Sequence, residues 1–154
     1  MITYRKAVLS DAEKLAEIRS LFLKEINDGV SEEYRVVLEQ ANLEYLRKTL
    51  HNNTFIAWIA LDNEKIISTS GLSFSIVPPF FNNTEGKVAY ISNMYTLPKY
   101  RHRGIGAKLL KRLIDEAKQF GCKKITLNAT KMGRQLYEKY GFIEGQTGMN
   151  LYVE

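Results

Sequence analysis

The most informative stretch of this 154-residue chain is Tyr100-Arg101-His102-Arg103-Gly104-Ile105-Gly106, in which two glycines, one residue apart, follow a basic cluster. Apolar residues recur from this point at positions 105, 109, 110, 113, 114 and 117, and their spacing predicts an amphipathic helix. Just upstream, residues 88–96 have the composition of a β-strand, which Pro98 ends. The predicted local order is therefore a strand, a tight basic turn and a helix.

A turn of this kind suits a phosphate group. Glycine lets a ligand approach the backbone closely, and the first amides of a helix have no partners inside the helix. These amides carry the partial positive charge of the helix N-terminus, which favours an anion. The side chains of Arg101, His102 and Arg103 add charge at the same place. The alternative is an ordinary helix start with solvated charges. No Gly-Lys-Ser/Thr of a P-loop follows, and the third glycine of the dinucleotide fingerprint is absent.

Two blocks of the sequence resemble motifs of one family. Arg101-x-x-Gly104-x-Gly106 resembles the acyl-CoA signature Arg/Gln-x-x-Gly-x-Gly/Ala of the GNAT superfamily of N-acetyltransferases. Leu136-Tyr137-Glu138-Lys139-Tyr140-Gly141-Phe142 resembles the late L-Y-E-K-x-G-F block of the same superfamily, in the same order along the chain. The residues before the turn, 93–101, also resemble its central strand. The similarity is specific over about 88–142 and architectural over about 1–87.

The order of elements and the resemblance together predict an α/β (α+β) fold in three layers. The resemblance implies one domain over 1–154, with a mixed, mostly antiparallel sheet of six to seven strands flanked by about four helices. The elements expected from the residues are a strand at Ile2–Val8, helices starting at Ser10-Asp11 and Ser31, a hairpin over 54–77, strands at Val88–Thr96 and Lys123–Ala129, helices ending near Phe120 and Tyr140, and one or two last strands from Phe142, ending at Met149–Val153.

The resemblance also implies where acetyl-CoA, the acyl donor, would bind. The amides of 103–107 would hold its pyrophosphate, with Arg101 and Arg103 as charged partners and His102 close by. A bulge in the central strand would leave an opening for the pantetheine arm, and the amide of Met94 or Tyr95 would lie near the thioester oxygen. The cofactor-binding residues predicted in this way are Met94, Tyr95, Thr96, Arg101, His102, Arg103, Gly104, Ile105, Gly106, Ala107, Asn128 and Tyr137.

Tyr137 is the predicted general acid, since the resemblance places that role on its helix. Attack on a thioester expels a thiolate whose conjugate acid has a pKa of roughly 8.5, and a tyrosine of pKa about 10 is protonated at neutral pH and can donate. Tyr140 occupies a variable position of the motif and is not the candidate. No carboxylate lies in residues 89–93, so the general base stays open. The candidates are Tyr90, a water chain held by Ser92 or Asn93, Glu25 and Glu85.

The composition restricts the remaining function classes. One cysteine, Cys122, excludes an internal disulfide and favours a reducing cytoplasm. It is not the expected acyl carrier, because it follows a helix end and only Lys123 and Lys124 are basic groups placed to activate it. There are no Cys/His clusters, so no metal is expected, and no apolar run approaches a membrane span. The net charge of +5 is spread out except at 99–112, where a phosphate site accounts for it, so nucleic acid is not the expected partner.

These observations predict an acetyl-CoA-dependent N-acetyltransferase that acts by direct attack in a ternary complex. The acceptor would be a small-molecule or peptide amine, and the chain is a possible homodimer. Acidic residues near the helix link, Glu25, Asp28, Glu32 and Glu33, would attract a cationic amine or are simply solvated. Two alternatives remain: a non-catalytic acyl-CoA-binding or regulatory domain, and a basic interaction module for an anionic partner.

Overall fold

The computed structural model describes residues 1–153 and contains six strands and four helices in that range. The strands are β1 (Ile2–Lys6), β2 (Phe55–Ile56), β3 (Trp58–Asp62), β4 (Lys65–Ile76), β5 (Lys87–Thr96) and β6 (Lys124–Leu127). The helices are α1 (Ala12–Ile26), α2 (Glu32–Asn52), α3 (Ile105–Phe120) and α4 (Arg134–Lys139), with short 3-10 turns at Leu9–Asp11 and Pro98–Tyr100. No helix in residues 1–153 has the length and apolar character needed to cross a membrane.

The strands form one open sheet in the order β1-β3-β4-β5-β6, with β2 also paired to β4. All pairs are antiparallel except β5–β6, which is parallel. Helices α1 and α2 cover one face through a core that includes Leu15, Leu46 and Phe55. Helix α3 covers the other face, where Leu110 and Leu113 pack against β4 and β5. The predicted three-layer α+β fold with a mostly antiparallel sheet is confirmed.

Local sequence signals account for most element boundaries. The hairpin turn between β3 and β4 has Asn63 and Glu64 at φ 46° and 68°, the backbone that a tight two-residue hairpin turn requires. Helix α2 begins where it was predicted to begin, and the hydroxyl of Ser31 caps it by accepting a hydrogen bond from the amide of Tyr34 at 3.2 Å. Gly121 ends α3 with φ 89°.

The start of the first helix differs from its prediction. Asp11 does not cap α1 with its side chain, and a 3-10 turn precedes the helix. The Asp11 carboxylate instead accepts hydrogen bonds from the Arg5 guanidinium at 2.7 and 3.0 Å and from the amide of Val8 at 2.7 Å. A charged partner on β1 therefore competes successfully with the helix amides for this carboxylate.

The predicted last strands are wrong within the described residues. No strand is present in 142–153, and Glu154 lies outside the described part of the chain. The side chains of Ile143, Met149, Leu151, Tyr152 and Val153 are at least 85% exposed. A β-rich composition favours a strand only when the side chains pack against a neighbouring surface, and here they do not. Gly145 and Gly148 weaken the strand further.

The fold opens the sheet at one place. Strand β5 pairs with β6 only from Val88–Lys124 to Ile91–Leu127, so its last five residues have no partner on that side. On the other side, the register with β4 passes from Gly71–Ser92 to Thr69–Tyr95, which inserts one extra residue into β5. Asn93 takes φ 56° at this bulge. The bulge implied by the family resemblance is confirmed.

Candidate active site

The opened end of β5 forms one wall of a cleft of about 970 Å³. The other walls are the turn that leads into α3, the start and inner face of α4, and the C-terminal end of α1. Apart from Arg103 and Asn128, all the predicted cofactor-binding residues line this cleft. A second cavity, of about 490 Å³, lies far from this turn, between Leu9 and the end of α2.

The turn at 101–107 presents unpaired backbone amides to the cleft. His102 and Gly104 have φ 61° and 72°, left-handed conformations that turn the chain sharply into α3. Neither a side-chain cap nor a backbone carbonyl in residues 1–153 accepts from the amides of 103–107. A Cβ on Gly104 would meet nothing within 4 Å, and one on Gly106 would meet only ordinary contacts at 3.7 Å or more. The space over Gly104 is therefore open to a ligand, and Leu136 and Thr96 border the space over Gly106.

Contacts with the sheet hold this turn in place. The hydroxyl of Tyr100 donates to the Asp62 carboxylate at 2.9 Å, and the amide of Leu97 donates to the carbonyl of Ile67 at 2.9 Å. The Arg103 side chain is exposed and does not line the cleft, but its guanidinium lies 5.4 Å from the centre of the ring of Tyr100, which does. Contacts with β3 and β4 thus fix the position of the backbone amides of the turn, whereas the charge of Arg103 lies in solvent at the edge of the cleft.

Arg101 is engaged inside the protein. Its Nε donates to the carbonyl of Thr96 at 2.9 Å, and one terminal nitrogen pairs with Glu25 at 2.8 Å. The guanidinium also lies 5.3 Å from the centre of the Tyr95 ring. This cluster joins the end of α1 to the end of β5 and closes one side of the cleft. The hydrogen bond from Arg101 lowers the pKa of Glu25 below its ordinary value, so this carboxylate is a poor proton acceptor.

Tyr137 stands on α4 with only 8% of its surface exposed, and it lines the cleft. Its ring packs edge-on against Phe142 at 5.9 Å. A Cβ on Gly133 would come within 3.1 Å of the same ring, so that glycine leaves room for it. Burial, together with the negative charge of Tyr90 when ionised, raises the pKa of Tyr137. The phenol is therefore protonated at neutral pH.

Tyr140 also lines the cleft, but it is more exposed than Tyr137 and its hydroxyl is already hydrogen-bonded. It is 40% exposed at the end of α4, and its hydroxyl donates to the carbonyl of Ala107 at 3.2 Å. Asn128 lies outside the cleft lining, where its amide donates to the Tyr90 hydroxyl at 3.2 Å. Among the candidate bases, Glu85 pairs with Lys87 at 3.1 Å and does not line the cleft.

Sequence reasoning missed a polar cluster behind the bulge. Arg19 of α1 is half-buried, and its guanidinium donates to the side chain of Asn93 and, at 2.7 Å, to that of Asn42. The Thr69 hydroxyl donates to the carbonyl of Asn93 at 2.9 Å, and Thr69 itself lines the cleft. An arginine on an amphipathic helix gives no local signal of such a role; only the bulge brings it to the site.

Known proteins resemble this chain both in sequence and in structure. The model of the acetyltransferase (GNAT) family matches residues 23–142. The chain belongs to the GNAT acetyltransferase family. Among solved structures, a predicted acetyltransferase from Clostridium acetobutylicum, determined with acetyl-CoA, is 38% identical with a TM-score of 0.90, over 99% of this chain and 96% of its own.

Two N-acetyltransferases are similar in sequence to this GNAT chain, one over nearly its whole length and one over less than half of it. The uncharacterised N-acetyltransferase YhfO of Bacillus subtilis is 30% identical over 96% of this chain and 93% of its own length. A probable glucosamine 6-phosphate N-acetyltransferase of Oryza sativa is 36% identical over 44% of this chain, and the match spans only 40% of that relative. The relatives support the acyltransferase class predicted from the two motifs.

Proposed function

We propose that this GNAT protein is an acetyl-CoA-dependent N-acetyltransferase that moves the acetyl group to a primary amine by direct attack in a ternary complex. One observation carries the proposal: the unpaired amides of 104–107 and the unpaired edge of β5 at 94–96 border the same cleft. A cleft of about 970 Å³ lies at the upper end of the usual range for a ligand site, which suits a long cofactor.

The residues of the turn and of β5 would bind and aim the donor. Bound acetyl-CoA would supply an activated acetyl thioester. The amides of 103–107 suit its pyrophosphate because they combine free donors with the positive end of α3. Main-chain groups of Met94 and Thr96 would run beside the pantetheine arm. The amide of Met94 or Tyr95 would donate to the thioester oxygen and stabilise the charge that develops there, an effect often worth about 3 kcal/mol.

Tyr137 would act as the general acid. As the amine nitrogen bonds to the acetyl carbon and the carbon–sulfur bond breaks, the phenol gives its proton to the sulfur. Its burial in the cleft wall and its raised pKa keep that proton in place until the sulfur becomes basic. Arg101 would act indirectly, because its bonds to Thr96 and Glu25 fix the end of β5. Arg103 and Asn128 remain predicted cofactor contacts that would require side-chain movement.

Two of the candidate bases for the amine proton have less support than the others. Glu25 is tied to Arg101 with a lowered pKa, and Glu85 is remote from the cleft. Tyr90, Ser92 and Asn93 do not line the cleft either, but they stand on β5 next to the residues that do. Tyr90 and a water chain held by Ser92 or Asn93 therefore remain the candidates. For the acceptor, relatives are named for glucosamine 6-phosphate, thialysine and aminoglycosides. These names support a small amine as the acceptor class for this chain.

One observation favours a second candidate function, a non-catalytic acyl-CoA-binding or regulatory domain. The central strand has no carboxylate over 89–93, and Glu25, the one glutamate within residues 1–153 that lines the cleft, is ion-paired. A domain of this kind would bind acetyl-CoA and leave its thioester intact. The homodimer, the cytoplasmic location and the lack of a nucleic-acid or metal partner stay predictions.

Transfer and binding can be measured separately. Purified protein is incubated with acetyl-CoA and a panel of amines, and free thiol is followed together with the mass of each acetylated product. The proposal predicts thiol release that depends on the amine and matches product formation one to one. Tight binding of CoA by calorimetry with no product across the panel would favour the non-catalytic domain instead. Failure to bind CoA at all would contradict both.

A further inference from the structure

Arg19 has a half-buried side chain, and no carboxylate in the described residues 1–153 forms an ion pair with its guanidinium. Five other arginines form ion pairs with carboxylates within residues 1–153: Arg5, Arg35, Arg47, Arg101 and Arg134. Arg19 instead contacts two neutral amides, Asn42 and Asn93. Desolvation is the main influence on this group and lowers its pKa, and the only charges that oppose the shift are those of Tyr90 and Tyr45 when ionised.

A buried charge of this kind is costly unless an opposite charge accompanies it. A guanidinium has five N–H donors, and the side chains of Asn42 and Asn93 take two of them. The two tyrosines that act on Arg19 are each partly exposed, 44% for Tyr45 and 41% for Tyr90, so solvent reaches this face of the sheet. The arrangement therefore has both the charge and the spare donors that an external oxyanion would use.

The position of Arg19 connects it to the proposed reaction. Its guanidinium bonds directly to Asn93, the residue at the bulge of β5. The next residues, Met94 and Tyr95, carry the amides proposed to face the thioester oxygen. One helical turn further along α1, Phe22 lines the cleft. A group bound by Arg19 would thus lie on the α1–α2 face of the sheet, close to where the amine must approach.

We propose that Arg19 binds an oxyanion on the acceptor, so that the preferred acceptors are amines that also carry a phosphate or a carboxylate. This inference rests on the proposed function and refines its acceptor class. It also reverses the expectation from the acidic helix link, because the charged group that bonds to the bulge residue Asn93 is positive. One charge-assisted hydrogen-bonded pair corresponds to a preference of about 10-fold to 100-fold in kcat/KM.

Matched pairs of amines test the preference. Glucosamine 6-phosphate competes with glucosamine, and L-lysine competes with 1,5-diaminopentane, each pair at equal concentration with acetyl-CoA. Mass spectrometry of the acetylated products gives the ratio of kcat/KM within each pair. We expect the wild-type protein to favour the anionic member by at least tenfold in one pair. The pair that responds shows whether the oxyanion is a phosphate or a carboxylate.

Arg19→Gln removes the charge and should lower that ratio by at least tenfold. Arg47→Gln is the matched control, because Arg47 is an exposed arginine of α2 paired with Glu13, and its ratio should stay at the wild-type value. A purely structural role of Arg19 would slow both members of a pair equally and leave the ratio unchanged. If Arg19→Gln does not fold, Arg19→Lys replaces it, and loss of the fork geometry should lower the ratio at least threefold.

The outcomes separate this inference from the proposed function. The inference is overturned if amines are acetylated with no preference in either pair, or if the Arg19 variant keeps the wild-type preference. The proposed transferase function would stand in both cases. If no amine is acetylated, the proposed function fails. In that case, calorimetry of the same amines with the CoA-bound protein gives the ratio of their binding affinities within each pair. Equal affinities would overturn the role of Arg19 as well.

Discussion

Replacing Tyr137 by phenylalanine removes one oxygen atom and keeps the ring that fills the cleft wall. The ring retains its edge contact with Phe142 at 5.9 Å and its place beside Gly133. The free energy of unfolding should therefore change by no more than about 1 kcal/mol, the scale of one hydrogen-bonding group. CoA affinity should stay within about threefold, because the pyrophosphate contacts proposed for the turn at 103–107 are untouched.

The expected loss is in turnover. General acid catalysis is commonly worth about 10² to 10⁴ in rate. We expect the low end here, because a thiolate with a conjugate-acid pKa of about 8.5 is already a reasonable leaving group. A hundredfold loss in kcat corresponds to about 2.7 kcal/mol of transition-state stabilisation. Thiol release at saturating acetyl-CoA and amine measures kcat, and calorimetry with CoA measures the affinity.

The pH dependence follows from the raised pKa of Tyr137. An acid must be protonated to act, and a pKa above the ordinary tyrosine value of about 10 keeps it protonated across neutral and mildly alkaline pH. The wild-type kcat should therefore lose the contribution of this acid only above about pH 10. Tyr140→Phe is the control; Tyr140 lies on the same helix end but bonds to Ala107, and we expect a change in kcat below about threefold.

A second variant tests position without removing the hydroxyl. Gly133 has φ −83°, so alanine suits its backbone, but the added Cβ would sit 3.1 Å from the Tyr137 ring. The ring must shift by a few tenths of an ångström, and we expect kcat to fall about tenfold, since the rate falls steeply when a catalytic group is misplaced.

A Tyr137→Phe protein with kcat within threefold of wild type and an unchanged pH profile would refute the acid assignment.

Three further variants test the cofactor site, the core and the cysteine. Gly104→Glu puts a carboxylate where the pyrophosphate would bind and should weaken CoA binding at least a hundredfold by calorimetry. Gly141→Glu is the control, because Gly141 also has a positive φ, 89°, and open space for a side chain, and it should keep the wild-type affinity. Equal affinities of the two variants would contradict the role of the turn. Gly71→Ala brings a Cβ within 2.3 Å of the buried Phe55 ring and should lower the free energy of unfolding by about 1–3 kcal/mol in urea titrations; an unchanged midpoint would show that the ring yields freely. Burial raises the pKa of the Cys122 thiol, so Cys122→Ser should keep kcat within twofold, and loss of turnover would reopen a covalent route.

The sequence predicted the parts of the site that depend on backbone requirements within a short segment. Gly104 must take φ 72° at the start of α3, and Asn63 and Glu64 must turn the hairpin, so these positions carry local signals. The amphipathic run of α3 and the glycine that ends it are equally local. Tyr137 has no such local signal; it was chosen because the family resemblance places the general acid on its helix.

The remaining features depend on tertiary contacts that no local pattern encodes. Glu25 and Arg101 are 76 positions apart, and Arg19 and Asn93 are 74 apart. Each pair forms only after α1 packs across the bulged end of β5. The tail after Phe142 shows the converse, because its β-rich composition has no surface to pack against in the described chain. Propensity predicted a strand there, and the lack of burial prevents it.

The central claim is that the amides of the turn at 103–107 hold the pyrophosphate of acetyl-CoA and direct its thioester to the bulge of β5. A crystal structure of the protein with CoA tests this claim most directly. We expect pyrophosphate oxygens within about 3.2 Å of at least two of these amide nitrogens, and the pantetheine arm beside 94–96. CoA bound elsewhere, for example in the cavity beside Leu9, or held without any contact to these amides, would contradict it.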